Sequence, residues 1–394
     1  MNTDLLLAIV FYLLLLIFYF FNKNKFEVKG RILFIYRTKL GLKLMDKIAK
    51  KFGFVLRPLA YVSTIVGFLG MAFIFYILIK GTFSLIFVPN AQPALAPVLP
   101  GVKVDGLPTL GFWHWIISIF IVAVIHEFSH GVFARLYNLK VKNSGFLFLG
   151  PILGAFVEPD EKKLEKVEKK KQLAIMSAGP FSNIVLAGLV FLLISFVSMP
   201  LQEKILDFDG IEVNKLIPGF PAEKANIPLP FELISINGEK IKDVNHFVSI
   251  TDKIKPNERI TLGTSEGEFS LTTDKNPEEP ERGYIGITDF NIKTKFKEGI
   301  NENLGNAVLW LLKLMFWLFV VNLGVGLFNL LPLGPIDGGR MFLVLSSMIF
   351  KKEEKAKKFW SSISYFLLIV IFINLLPYLF RLLNFLIKPF LFLG

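Results

Sequence analysis

The feature that most constrains this chain is a series of apolar runs about as long as a bilayer is thick. A helix crossing the hydrocarbon core needs about 20 predominantly apolar residues, because each residue advances it only ~1.5 Å. Such runs occupy residues 5–21, 58–79, 111–137, 172–199 and 360–380, with a longer apolar region at 304–350. Hydrophobic residues make up 53% of the 394, and 42 are Phe. The reading is a polytopic α-helical membrane protein of about six transmembrane helices, one of them discontinuous.

Charge then orders the segments. The net charge of +12 invites a nucleic-acid reading, but in a membrane protein Lys and Arg mark cytoplasmic loops, so no nucleic-acid partner is expected. Residues 22–57 hold eleven Lys/Arg against Glu27 and Asp46, and the stretches at 138–171 and 351–358 are also lysine-rich. These are read as cytoplasmic. Within the first, Leu40, Leu44 and Ile48 recur at helical spacing among lysines, which suits either a helix on the membrane surface or a solvated loop. Asp4 before the first apolar run, and Lys23 and Lys25 after it, fit an uncleaved anchor better than a signal peptide. Residues 80–110 are Pro-rich and nearly free of basic residues, as an external loop would be.

Residues 200–303 change character: charge is mixed, Asn237-Gly238 is a turn signal, and short β-like runs recur. About a hundred residues is an ordinary size for a soluble domain, and parity places it outside. The region 304–350 must then cross a net odd number of times. It is interrupted by L-P-L-G-P-I-D-G-G, which suits one broken span of the kind that builds polar sites at the midplane. The expected divisions are 1–80, N-terminal helices and basic loop; 81–199, first part of a membrane core; 200–303, external domain; 304–350, second part of the core; and 351–394, C-terminal membrane region. Residues 144–159, S-G-F-L-F-L-G-P-I-L-G-A-F-V-E-P, are apolar but broken by Gly and Pro. They read as a hairpin dipping toward the membrane, supported there by protein or a cavity.

Inside the run at 111–137 lies H-E-F-S-H, residues 126–130. Ionisable side chains at membrane depth are costly and default to a functional reading. On a helix, His126 and His130 stand one turn apart on one face and can share a metal ion, with Glu127 flanking it as a proton acceptor. There are no cysteines, and the histidines number four: His114, His126, His130 and His246. A catalytic zinc wants three protein ligands and an open position. Phe133 and Leu136 exclude the longer three-histidine pattern, His246 lies in the external domain, and His114 is roughly 18 Å up the helix. A carboxylate is left: Asp337, Glu158 or, less favourably, Asp160. Asp337 is preferred, because it lies in apolar surroundings with no basic residue before Arg340. An Asp there could also cap the next helix. Two other readings use the same residues: a membrane metal transporter, which would need further polar stops along neighbouring spans, and an inactive membrane scaffold.

H-E-F-S-H in one span and N-L-L-P-L-G-P-I-D-G (329–338) in a later one together resemble the site-2 protease family, the intramembrane zinc metalloproteases of peptidase family M50. G-P-F-S-N (179–183) and G-A-F-V-E-P (154–159) add to the likeness. The resemblance implies one Zn²⁺ held by His126, His130 and Asp337, with Glu127 as catalytic acid/base. Asn329, and more weakly Asn183, would bind substrate. Substrates would be transmembrane segments of other proteins, cleaved within the lipid bilayer of the cell membrane on its cytoplasmic side. G-I-E-V-N-K-L-I-P-G-F-P-A-E-K-A-N-I (210–227) and L-I-S-I-N-G-E-K-I (233–241) resemble a PDZ domain, although Pro230-Phe231-Glu232 departs from that pattern. The inserted domain is thus expected to be a small α+β, PDZ-like and extracytoplasmic unit with a groove for a peptide. Its alternative role is that of the working part of an inactive PDZ-bearing scaffold.

Overall fold

The computed structural model describes residues 3–30, 32–88, 91–102, 104, 107–149, 152–277 and 279–391. It divides into two compact units, Met1–Ile194 with Leu312–Gly394, and Ser195–Leu311. The first begins with helix α1 (Thr3–Asn22), a single 3-10 turn, strands β1 (Phe26–Lys29) and β2 (Leu33–Thr38), and helices α2 (Leu42–Lys51) and α3 (Gly53–Phe87). It continues with α4 (Phe112–Leu136), β3 (Val141–Leu149), β4 (Ile152–Pro159), a single turn α5 (Glu161–Leu164) and α6 (Lys169–Leu193).

Residues 144–159 do pair as a hairpin, with Gly145 opposite Phe156 and Leu147 opposite Gly154. Its turn at 150–151 lies outside the described residues. The basic segment at 22–57 is neither solely a surface helix nor solely a loop. It supplies α2 and also the β1–β2 hairpin, which extends the sheet to the order β1-β2-β3-β4, antiparallel throughout. Lysines hid the strands: in F-E-V-K the apolar and charged residues alternate, which on a strand sends them to opposite faces. Phe26 and Phe34 pack edge-on to Tyr19 of α1, at ring distances of 5.2 and 5.1 Å. Arg37 of β2 reaches Glu158 on β4 at 2.9 Å and Glu27 on β1, tying the sheet together across its width.

The second unit carries α7 (Met199–Ile205), β5 (Leu206–Leu216), α8 (Pro221–Lys224), β6 (Phe231–Ile236), β7 (Glu239–Lys240) and α9 (Val244–Thr251). Strands β8 (Arg259–Thr264), β9 (Gly267–Thr272), β10 (Asp274–Lys275), β11 (Gly283–Tyr284) and β12 (Ile287–Phe296) complete it. Its main sheet runs β12-β5-β6-β8-β9, with β7 beside β6, and β10 pairs with β11. Asn237 and Gly238 take φ of 52° and 78° between β6 and β7. Two consecutive left-handed residues are what the tight hairpin turn requires. Ile211, Val213, Phe231, Leu233, Ile236, Ile260 and Leu262 form the core.

The chain ends with α10 (Glu302–Asn329), α11 (Asp337–Ile349) and α12 (Glu353–Leu391). The interruption expected in 304–350 falls at 330–336. The lysine-rich run at 351–358 is not wholly the loop expected: after Lys351 and Lys352 it forms the first turns of a single 39-residue helix, Glu353–Leu391, that also absorbs the C-terminal apolar stretch. Glu353 and Glu354 favour a helix start there, and Lys357 pairs with Glu353 one turn away at 2.7 Å. Among the described residues six helical stretches are long and apolar enough to cross a membrane: Leu6–Lys25, Gly53–Phe87, Phe112–Leu136, Lys169–Ile205, Glu302–Asn329 and Glu353–Asn384. At 13 residues, α11 spans only ~20 Å.

Candidate metal centre

Helix α4 supplies His126, Glu127 and His130. Helix α6 packs across it, and Ser177 of α6 is hydrogen-bonded to Ser63 of α3 at 3.0 Å. Helix α11 then brings Asp337 in from the other side, 207 residues after His130 in the chain. Two glycines make that approach possible. A Cβ on Gly338 would stand 2.2 Å from the Leu330 carbonyl oxygen, and one on Gly339 would stand 2.3 Å from that of Gly334. The start of α11 therefore folds back tightly on the 330–334 turn. Asp337 is the first residue of α11 and its carboxylate turns to the histidines; the cap position belongs to Ile336.

The geometry is compact. His126 Nε2 lies 2.9 Å from Asp337 Oδ2, His130 Nε2 lies 3.3 Å from the same oxygen, and the two Nε2 atoms are 3.1 Å apart. These three side chains are 8, 12 and 13% exposed. His130 Nδ1 is 2.7 Å from the Ile175 carbonyl oxygen, to which it can only donate. A neutral His130 must then present a lone pair at Nε2. Lone pairs of two imidazoles and a carboxylate at this spacing repel unless a cation lies among them. Tetrahedral ligands about 2.0–2.1 Å from zinc stand roughly 3.3 Å from one another, close to what is found. The donor set therefore fits a zinc ion.

Behind the pair stands Asn183, fully buried, with Nδ2 placed 3.1 Å from His126 Nδ1 and Oδ1 left without a partner. Turning the amide over lets Oδ1 accept from Nδ1–H, which leaves Nε2 free to ligate. Asn183, expected to touch substrate, lies fully buried beside the His126 ring, where α6 packs on α4. Gly179, one turn earlier, has a sharper role. A Cβ there would sit 2.4 Å from His130 Nε2 and 2.6 Å from His126 Nε2, so any side chain would intrude where an ion must fit. The G-P-F-S-N stretch hinted at both residues without revealing either contact.

The other candidates separate cleanly. Glu158 accepts from Arg37 Nε at 3.0 Å and from Asn143 Nδ2 at 2.9 Å, and the guanidinium holds its carboxyl below the ordinary value. Asp160 lies 3.6 Å from Lys142 Nζ. His246 pairs with Glu239 in the second unit at 3.0 Å, and His114 is buried near the start of α4. Among the described residues, His126, His130 and Asp337 form the one such three-residue group.

A cavity of about 240 Å³ opens onto the centre, lined by His126, Glu127, His130, Asn329, Asp337 and Arg340, among others. Glu127 Oε2 accepts from the Val157 backbone N–H of β4 at 3.0 Å. Asn329 ends α10 and donates to its own Val325 carbonyl at 3.1 Å. The G-A-F-V-E-P stretch contained Val157 without revealing its contact with Glu127, and nothing in the sequence assigned Arg340 a role at the centre.

The model for peptidase family M50 matches residues 114–371, about two thirds of the chain, and takes in every residue of this centre. The chain belongs to peptidase family M50. An uncharacterized protein of Methanocaldococcus jannaschii is 28% identical to the peptidase over 352 residues, covering 88% of this chain and 85% of the relative. A Clostridium perfringens protein provisionally named a zinc metalloprotease is 24% identical, over 62% of this chain and 85% of its own length. An Enterococcus faecalis protein, Eep, provisionally named a protease, is 22% identical over 48% and 53% respectively. The peptidase is accordingly a zinc metalloprotease of the site-2 type and a multi-pass membrane protein.

Proposed function

We propose that the peptidase hydrolyses peptide bonds within membrane-spanning segments of other membrane proteins, with His126, His130 and Asp337 as its zinc ligands and Glu127 as its acid/base. The observation carrying this reading is the convergence of three donor atoms from two helices beside Glu127, in a unit whose helices are built for lipid. Bound zinc would polarise the scissile carbonyl and acidify a water. Glu127 takes the proton of the attacking water and returns it to the leaving amine. Asn183 holds the His126 ring in its ligating tautomer, and the Ile175 carbonyl does the same for His130.

A helical substrate hides its peptide groups in internal hydrogen bonds and must unwind to be cut. Strand β4 is an edge of its sheet and offers a template for the unwound segment. A substrate carbonyl that accepted the Val157 N–H would release Glu127 from that bond for the water. Asn329, which lines the cavity, would hold the substrate backbone. The basic segments put 22–57 and 351–358 on the cytoplasmic side of the cell membrane and the inserted unit on the other. That unit, with its antiparallel sheet and the short helices α8 and α9, suits a PDZ-type fold that takes peptide ends or screens substrates by bulk.

The test uses purified full-length chain and a model transmembrane peptide. Wild type cleaves it and stops when zinc is chelated. Glu127→Gln keeps one zinc per chain while cleavage falls about 10²–10⁴-fold. Undiminished cleavage by Glu127→Gln would remove the glutamate from its role. Failure of wild type to cut any transmembrane peptide, while cutting soluble ones, would overturn the substrate class.

A further inference from the structure

The first unit holds a second polar cavity, of about 540 Å³, where the end of α2, the start of α3 and the end of α4 meet. Lys50, Arg57, Arg135 and Lys140 line it, with Asp46 as the one carboxylate. Arg135 is fixed, its Nε 3.1 Å from Asp46 Oδ1 and its Nη2 donating to the Val141 carbonyl at 3.2 Å. Lys50, Arg57 and Lys140 have no ion-pair partner among the described residues. Four cations held around a concavity with one counter-charge repel one another, and an anion relieves that repulsion.

Two further features point the same way. The 35-residue α3 starts at this cavity, with Gly53 and Phe54 in its lining and no side-chain cap on its first turn. Free N–H groups at a helix start attract phosphate. The flank is apolar: Leu136 joins the lining, and Phe54 is 78% exposed. Both α3 and α4 are long and apolar enough to cross a membrane, so their shared end falls at a bilayer surface.

We propose that this cavity binds a phosphate-bearing anion, and that the headgroup of an anionic membrane lipid, its acyl chains against Phe54 and Leu136, is the source the apolar flank favours. Arg135 follows His130 by five residues on α4, so a lipid bound here sets the depth of the helix that carries the two histidines. The proposal does not depend on the peptidase reading.

Full-length protein is exchanged into vesicles of phosphatidylglycerol and phosphatidylcholine in equal parts, extracted, and its retained lipid measured by native mass spectrometry. Wild type retains phosphatidylglycerol in preference. Arg57→Gln with Lys140→Gln lowers that retention by about fivefold for each charge removed, roughly 30-fold together. Lys43→Gln with Lys47→Gln, which removes the same charge from α2 outside the cavity, leaves retention unchanged. Unchanged zinc content in both pairs shows that each still folds. Millimolar inorganic phosphate is the second probe: if it displaces the lipid from wild type but not from the cavity variant, the site recognises phosphate itself, whichever source fills it. Equal retention of the two lipids by wild type, or equal losses in the two variant pairs, would overturn the proposal.

Discussion

In the inserted unit Leu233, Ile236 and Leu262 are buried, while the pairs Lys293–Glu212 and Lys295–Asp209 lie outside at 3.2 and 3.1 Å. In the membrane unit the pattern reverses: Leu69 and Phe73 are exposed, and Asn183, Asn322 and Asn374 are fully buried. Each unit puts its apolar surface where its solvent favours it. The polar consequence is less symmetrical. An inserted-unit side chain can turn to water, whereas a membrane-unit one must find its partner within the protein. Asn374 does so by donating to Thr82 and accepting from the Ala94 N–H at 2.9 Å. A paired buried polar group in the membrane unit therefore marks a specific contact, and among the described residues His126, His130 and Asp337 form the one three-residue group of this kind.

The largest effect should come from breaking that cluster. Asp337→Ala should lose zinc and all cleavage, as should Gly179→Ala, whose added methyl occupies the ion's place. Metal analysis of purified variants, with circular dichroism to show retained helix, reads this directly. Full zinc occupancy in Asp337→Ala would mean that the third ligand lies elsewhere.

One chemical change made in both units sharpens the contrast. Leu262→Ala empties a core position and should cost the inserted unit about 2–5 kcal/mol. Leu69→Ala, at a side chain 65% exposed on α3, should stay within about 0.5 kcal/mol. Denaturant or thermal unfolding in detergent compares the two. A comparable loss at Leu69 would show that α3 is covered by protein on that side.

The sequence carried local facts well and distant ones poorly. Helical spacing was enough to bring His126 and His130 to one face, with Glu127 flanking them, because i and i+4 always meet on a helix. Asp337 could be picked out by scarcity: with no cysteine and few histidines, little else in apolar surroundings could balance an ion. The β1–β2 hairpin stayed hidden because its partner β3 lies about a hundred residues away and its lysines imitate a solvated loop. The contacts of Gly179 and Asn183 depend on how α6 packs against α4, and a motif cannot say which face a helix turns.

Asn183 gives the third and smaller effect. Asn183→Ala removes the support of His126 Nδ1 and should weaken zinc binding about 10–100-fold. Asn183→Asp keeps an acceptor for Nδ1–H and should retain most of the affinity, which a chelator competition would measure. Equal losses in the two variants would mean that the contact serves packing alone.

The smallest effect tests where the comparison itself stops. Arg37 and Glu158 belong to the membrane unit, yet each is about one third exposed, 32 and 33%, much like the Lys293–Glu212 pair of the inserted unit. The pair therefore lies at an aqueous margin and should obey aqueous rules. Because Arg37 holds Glu158 below its ordinary pKa, the stabilisation is complete above the usual carboxylate value and fades as pH falls through the lowered one. Arg37→Gln returns that titration toward the ordinary value, so the variant loses the stability that wild type keeps at neutral pH, and the gap narrows in acid. The loss should be no more than about 1 kcal/mol and should shrink in salt. Melting curves of wild type and Arg37→Gln between about pH 3 and 6, at low and high ionic strength, would read it. A gap indifferent to salt would put this edge of the sheet out of water, and β4 would then have to receive its substrate strand in a dry site.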